Sequence, residues 1–163
     1  MPHTGSCACG QTTVTLAGTH TTQVRLSALI NADHAYWYQV LCHCLDCQKE
    51  SGSAFSANVV ELKTNVTIAG PVKEYLTKSE SGNTVRHVFC SECGSPISHV
   101  SPGFGESQGI RAALFPEFKD IPIAAERMCS AFRVKVKTDD AVFVRSRWPV
   151  IPEFKDSAKI ETM

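Results

Sequence analysis

The chain reads as mainly β, with many short strands and few or no helices. Two observations predict this. Short runs of alternating apolar residues recur with turn signals about every eight to twelve residues. No stretch keeps a three-four apolar period beyond about two turns.

The elements follow in order. Gly5-Ser6-Cys7-Ala8-Cys9-Gly10 is a turn that points two thiols one way. Thr12 to Leu16 alternates and predicts a strand, ended by Gly18. Thr21 to Ile30 predicts a second strand, Asn31 to His34 a turn, and the aromatic, β-branched run Ala35 to Leu41 a third strand. That strand leads into Cys42-His43-Cys44-Leu45-Asp46-Cys47 and then Gln48-Lys49-Glu50-Ser51-Gly52-Ser53, read as a loop. Ala54 to Leu62 is a strand, and Val66 to Ile68 a short one closed by Gly70-Pro71. Lys73 to Thr77 and Thr84 to Phe89 form a hairpin around Ser79 to Asn83. Pro96 to Val100 and Ile110 to Phe115 are strands, as are Phe132 to Val136 and Ala141 to Val144. The organisation is one domain over residues 1–148, followed by a loosely packed tail over residues 149–163.

Composition narrows the function. At 163 residues the chain can bury a full core. Sixteen basic residues balance sixteen acidic ones, so the formal net charge is zero. Phosphate binding usually shows as a basic excess, so nucleic acid is not an expected partner. Neither is a membrane: no apolar run approaches the length of about 18 residues that a span needs. The first residues carry no secretory signal pattern, and the expectation is a cytoplasmic protein. In that compartment clustered cysteines read as metal ligands rather than disulfides.

The spacing divides the cysteines four plus three. Cys7, Cys9, Cys90 and Cys93 supply the complement of a closed structural zinc. Cys42, Cys44 and Cys47 supply three thiolates and leave a fourth tetrahedral position vacant. The alternative for the second group is another closed site, completed by Cys129 or one of the six histidines. Cys129 outside the groups reads as a buried free cysteine. His87 and His99 read as packed strand residues, and Phe55 as core.

The motifs Gly5-Ser6-Cys7-x-Cys9-Gly10, Cys42-His43-Cys44-x-x-Cys47-x-x-x-Ser51-Gly52-Ser53-x-Phe55, Phe89-Cys90-x-x-Cys93-Gly94-x-Pro96-Ile97 and Pro102-Gly103 stand in this order. Together they resemble the glutathione-dependent formaldehyde-activating enzyme family, which includes the centromere protein V type. The resemblance implies a β-tent fold of stacked antiparallel sheets with two zinc ions per chain, one structural at Cys7, Cys9, Cys90 and Cys93 and one catalytic at Cys42, Cys44 and Cys47. It also implies a carbon–sulfur lyase that forms S-(hydroxymethyl)glutathione from formaldehyde and glutathione. The chain departs from the family pattern in a longer Cys9–Cys42 interval, in Ile110-Arg111-Ala112-Ala113-Leu114-Phe115, which lacks a glycine and an acidic residue, and beyond Glu117. These departures bear on the substrate rather than on the zinc frame.

On this basis the expected partner is a small-molecule thiol or carbonyl, with glutathione as co-substrate; a homo-oligomer is left open. A three-thiolate zinc is a weak Lewis acid but accepts a fourth thiolate well. His43 is a candidate proton shuttle, with a loop-capping role as its alternative. Ser51 and Ser53 are candidates to meet a developing oxyanion, and Lys49 and Gly52 to bind a glutathione carboxylate; an ordinary turn is the alternative. Arg86 is a further candidate for a substrate carboxylate, and Asp46 for orienting the loop. Two other functions stay open: a relative acting on a larger carbonyl compound in a biosynthetic pathway, and a zinc-stabilised interaction module without catalysis.

Overall fold

The computed structural model describes residues 2–17, 38–79, 82–120, 123–127, 148–151 and 158–160. The predicted strands over 21–30, 132–136 and 141–144 lie outside these residues, as does Cys129.

The described residues are mainly β, in two sheets. The smaller one has the order β1-β2-β5, from β1 (His3–Ser6), β2 (Thr13–Leu16) and β5 (Val66–Ala69), all antiparallel. The larger adds β3 (Tyr38–Cys42), β4 (Ser56–Leu62), β6 (Val72–Lys78), β7 (Thr84–Cys90), β8 (Pro96–Val100), β9 (Ser107–Arg111), β10 (Ile123–Arg127) and β11 (Ala158–Ile160). Its order is β11-β10-β3-β4-β9-β8-β7-β6. Pairing is antiparallel from β3 to β6, whereas β10 runs parallel to both β3 and β11.

Alternation decides what each sheet buries. In β2 the threonines are half-buried while Val14 and Leu16 are fully buried, and Ile68 and Val66 oppose them on β5. On the large sheet Val59 pairs with Ile110, Ile110 with Ser98, and Ser98 with Val88, so these side chains share one face. Val14, Leu16, Val59, Val88 and Ile110 meet in the core with Phe115 and Phe118, whose rings stack at 4.7 Å.

The opposite face of the same sheet is polar. Register places Cys42 opposite Ser56, and Asn58 opposite Arg111. It also joins Gly109 to His99, His99 to His87, and His87 to Tyr75. Asn58, Arg111, His99 and His87 are all buried.

One short helix covers this face. α1 (Leu45–Ser51) runs through the stretch read as a loop from the sequence. Cys44 caps it, its extended backbone letting Sγ accept from the Cys47 N–H at 3.3 Å. Asp46 lies in the first turn and Lys49 in the last, each matched to the helix dipole. Gly52, at φ 61°, ends the helix and donates its N–H to the Gln48 carbonyl.

Two further differences from the sequence expectation are local. The strand expected over Ile110 to Phe115 ends at Arg111, and Ala112–Leu114 form a 3-10 turn. Ala112, Leu114 and Phe115 are buried all the same, so an apolar spacing of two arises without a strand. Ala158–Ile160, expected in a tail, pairs with β10 at the end of the sheet order. The 72–90 hairpin and the strand Pro96–Val100 form as expected.

Candidate active site

Two cysteine clusters dominate the chemistry. In the first, Cys7 and Cys9 come from the turn joining β1 to β2, Cys90 from the end of β7, and Cys93 from the turn after it. Their four sulfurs lie within 4.8 Å of one another, with Cys7 to Cys9 at 3.4 Å and Cys9 to Cys90 at 3.8 Å. A tetrahedral zinc with Zn–S bonds of about 2.3 Å requires sulfurs about 3.8 Å apart, so this set fits the ion. Ser95 Oγ lies 3.1 Å from Cys93 Sγ and accepts the Ala8 N–H at 3.1 Å, linking both chain segments. Its hydrogen bonds hold the Cys93 thiol down at about 5, in the thiolate form a metal requires.

The second cluster is Cys42, Cys44 and Cys47, all buried, with sulfurs again within 4.8 Å. Cys42 ends β3, Cys44 caps α1 and Cys47 lies in its first turns. Among the described residues no fourth cysteine, histidine or carboxylate joins them. The thiols share protons unequally. Hydrogen bonds with Cys44 and Cys47, and then burial, push Cys42 well up. Hydrogen bonds from Cys42 and Cys44 push Cys47 well down against its burial, helped by the charge of Arg111. None of the seven described cysteines is joined in a disulfide.

Beside this cluster lies a buried ionic group that the spacing of motifs did not reveal. Glu50 follows Cys47 by three residues, so both sit on one side of α1. Its Oε2 accepts from Arg111 Nη2 and, at 3.0 Å, from His87 Nδ1. Arg111 Nη1 donates to Asn58 Oδ1 at 2.7 Å. His87 Nε2 meets Thr77 Oγ1 at 2.9 Å, and the His87 ring stacks on Tyr75 at 4.6 Å. Burial works against the Arg111 charge, but Cys47 and Glu50 outweigh it and hold the group firmly protonated.

A small pocket, partly open to solvent, lies against Cys42 of the cluster and is lined by Val40, Asn58, Val60, His99, Phe104 and Gly109. The His99 ring lies over Gly109, where any Cβ would collide with it. Burial pushes His99 down to about 4, so the ring is neutral at physiological pH. Its Nδ1 is buried without a hydrogen-bond partner.

The remaining candidates are placed as follows. His43 is fully buried, with its ring edge-on to Phe55 at 5.5 Å, and its carbonyl accepts from Gln48 Nε2. Ser51 Oγ donates to the Cys47 carbonyl at 2.7 Å and lies 3.0 Å from the Phe55 carbonyl. Gly52 is the helix stop, and Ser53 N–H donates to the Gln48 carbonyl. Lys49 and Ser53 are exposed. Arg86 is occupied by Glu74, at 2.6 Å across the hairpin on the surface. The motifs do not single out Glu50, Asn58 or Arg111; the sequence signal for Glu50 is a charged residue at helical spacing from the clustered Cys47.

Among the described residues no helix is long and apolar enough to cross a membrane. No curated protein matches the chain. A crystal structure of a Rhodobacter sphaeroides protein is similar, at 15% sequence identity and a TM-score of 0.48, over 74% of this chain and 98% of that one. The family model for glutathione-dependent formaldehyde-activating enzyme matches residues 2–132. With that match spanning both cysteine clusters, the chain belongs to the glutathione-dependent formaldehyde-activating enzyme family.

Proposed function

We propose that the protein is a zinc-dependent carbon–sulfur lyase-type enzyme that joins a thiol such as glutathione to a small carbonyl compound. The observation that carries this is the three-cysteine cluster without a fourth ligand among the described residues, bordering a small pocket. A zinc held by Cys42, Cys44 and Cys47 would supply a vacant position where an incoming thiol ionises at neutral pH. Cys7, Cys9, Cys90 and Cys93 would hold the structural ion.

The chain's own groups do the rest. Val40, Val60 and Phe104 give the pocket an apolar wall. Neutral His99 donates a hydrogen bond to the carbonyl oxygen as the sulfur attacks the carbon. One carbon–sulfur bond forms, the carbonyl π pair moves to oxygen, and the proton lost by the thiol ends on that oxygen. His99 rather than His43 takes this role here because it lines the pocket. Lys49, exposed in the last turn of α1, keeps the proposed role of meeting a carboxylate of the thiol, and Ser53, exposed just beyond the helix, keeps that of meeting the developing oxyanion. Ser51 and Gly52 act by fixing that end of the helix. A cytoplasmic setting, where clustered cysteines stay reduced and bind metal, goes with this reading.

The test is zinc per chain together with the approach to equilibrium of labelled formaldehyde and glutathione, followed by NMR. Two zincs and a rate above the uncatalysed one are expected, with Cys44→Ser reduced to one zinc and the background rate. A two-zinc protein that leaves the uncatalysed rate unchanged would sink the assignment.

A further inference from the structure

We propose that the outer edge of β6 is a self-association surface, where two copies of the chain join their large sheets, strand against antiparallel strand, about a two-fold axis at Leu76.

β6 ends the order of the large sheet, and among the described residues no strand pairs with its outer side. The direction of its backbone groups follows from the ladder. Ser91 N–H donates to the Pro71 carbonyl and Ser79 N–H to the Asn83 carbonyl, one at each end of the β6–β7 pairing. The register between these ends is continuous, so residues 73, 75 and 77 also bond to β7. The N–H and C=O groups of Val72, Glu74, Leu76 and Lys78 therefore point outward in a row.

An open row of this kind is a template for another strand, and folds usually blunt it with proline, a bulge, a short edge or a cover. β6 has seven residues, no proline and no shift of register, and six of the seven are exposed. Leu76 is 67% exposed and Val72 39%, both on one face of the strand.

Antiparallel pairing of β6 with its own copy must set outward residues opposite outward residues. Centred on Glu74, it places two carboxylates against each other. Centred on Tyr75, it opposes Glu74 to Leu76 and Val72 to Lys78. Centred on Leu76, it opposes each Glu74 to the second copy's Lys78 and packs Leu76 on Leu76. Centres nearer either end leave most of β6 unpaired. Only the axis at Leu76 matches charge and apolar surface together. Both charged groups have capacity left for it. Glu74 Oε1 accepts from Arg86 while Oε2 is left to meet the lysine, and Lys78 Nζ gives one of its three hydrogens to Thr84 Oγ1. None of these residues lines the pocket or belongs to a cysteine cluster, so the association depends on neither metal nor catalysis.

Sedimentation equilibrium of the full chain in reducing buffer, over a wide range of concentration, reads this directly. A monomer–dimer equilibrium that weakens at high salt is expected. Leu76→Lys and Lys78→Glu each set like charges against each other across the axis, and each should raise the dissociation constant about tenfold or more. Adding Glu74→Lys to Lys78→Glu restores opposite charges and should recover most of the loss. All three side chains are exposed, and circular dichroism checks that the variants keep the fold. Protein that stays monomeric at every concentration overturns the proposal. So does a dimer that Leu76→Lys leaves intact, which would use another surface. A charge swap as weak as Lys78→Glu alone also overturns it, because the register would be another.

Discussion

His99 carries a cost that shows with pH. Its ring fits over Gly109 because nothing else can stand there, and it is sealed at 3% exposure. Its ordinary value of 6.5 falls to about 4 in the fold, chiefly through burial. The unfolded chain therefore takes up the proton first as pH drops, and between 6.5 and 4 it binds more protons than the native state. Stability that is complete above 6.5 is lost as pH falls through that window. From pH 7 to 5 the loss from this one ring is about 2 kcal/mol. Urea unfolding of native protein and His99→Gln across that range tests it: the native curve should fall more steeply by that amount, and parallel curves would refute it. Nothing in the sequence around His99 announces this. A histidine in an apolar strand looks the same whether it packs or works, and only register sets it beside Gly109 and near Cys42. The cysteines were legible because a ligand pair one or two residues apart is local. Arg111, Asn58 and Glu50 were not, because they sit in three elements that only the sheet brings together.

The element least visible in the sequence is α1. At seven residues it spans two turns, too short for an apolar period to emerge, and its buried positions are a cysteine and an acidic residue rather than leucines. Its end signals were present all the same: Cys44 as cap, Asp46 and Lys49 in the matching turns, and Gly52 as stop. Strands were easier. Thr13-Val14-Thr15-Leu16 alternates because one face of β2 meets the core and the other does not. The stretch after Arg111 misled for the same reason, since a 3-10 turn can bury Ala112 and Leu114 at a spacing of two. The helix stop is testable. Gly52 holds φ 61° with open space where a side chain would project, so Gly52→Ala brings strain without a clash. A loss of about 1 kcal/mol in urea unfolding is expected. A variant as stable as native protein would mean that α1 ends without help from its left-handed residue.

The two cysteine clusters act on different parts of the molecule. Cys7 and Cys9 belong to the turn of the small sheet, whereas Cys90 and Cys93 close a strand of the large one. A metal there would tie the sheets together by joining Cys9 to Cys90, 81 positions further along the chain. By the loop-closure estimate used for cross-links, such a tie contributes about 4 to 5 kcal/mol. That is comparable to the whole stability of many domains, about 5 to 15 kcal/mol. Cys42, Cys44 and Cys47 span six positions at the end of β3 and the start of α1, so a metal there closes almost no loop. It should hold the helix on the sheet and little else. Cys90→Ala should therefore lower the unfolding midpoint severely, and a chelator should do the same to native protein. Cys44→Ser should unfold close to native, because serine still accepts the Cys47 N–H and preserves the cap. Thermal unfolding of the two variants side by side checks this. Equal losses would mean that both ions are structural, and the open-site enzyme would lose its physical basis. A large loss for Cys90→Ala alone would leave the second cluster free of any folding duty, which is the condition a working metal site needs.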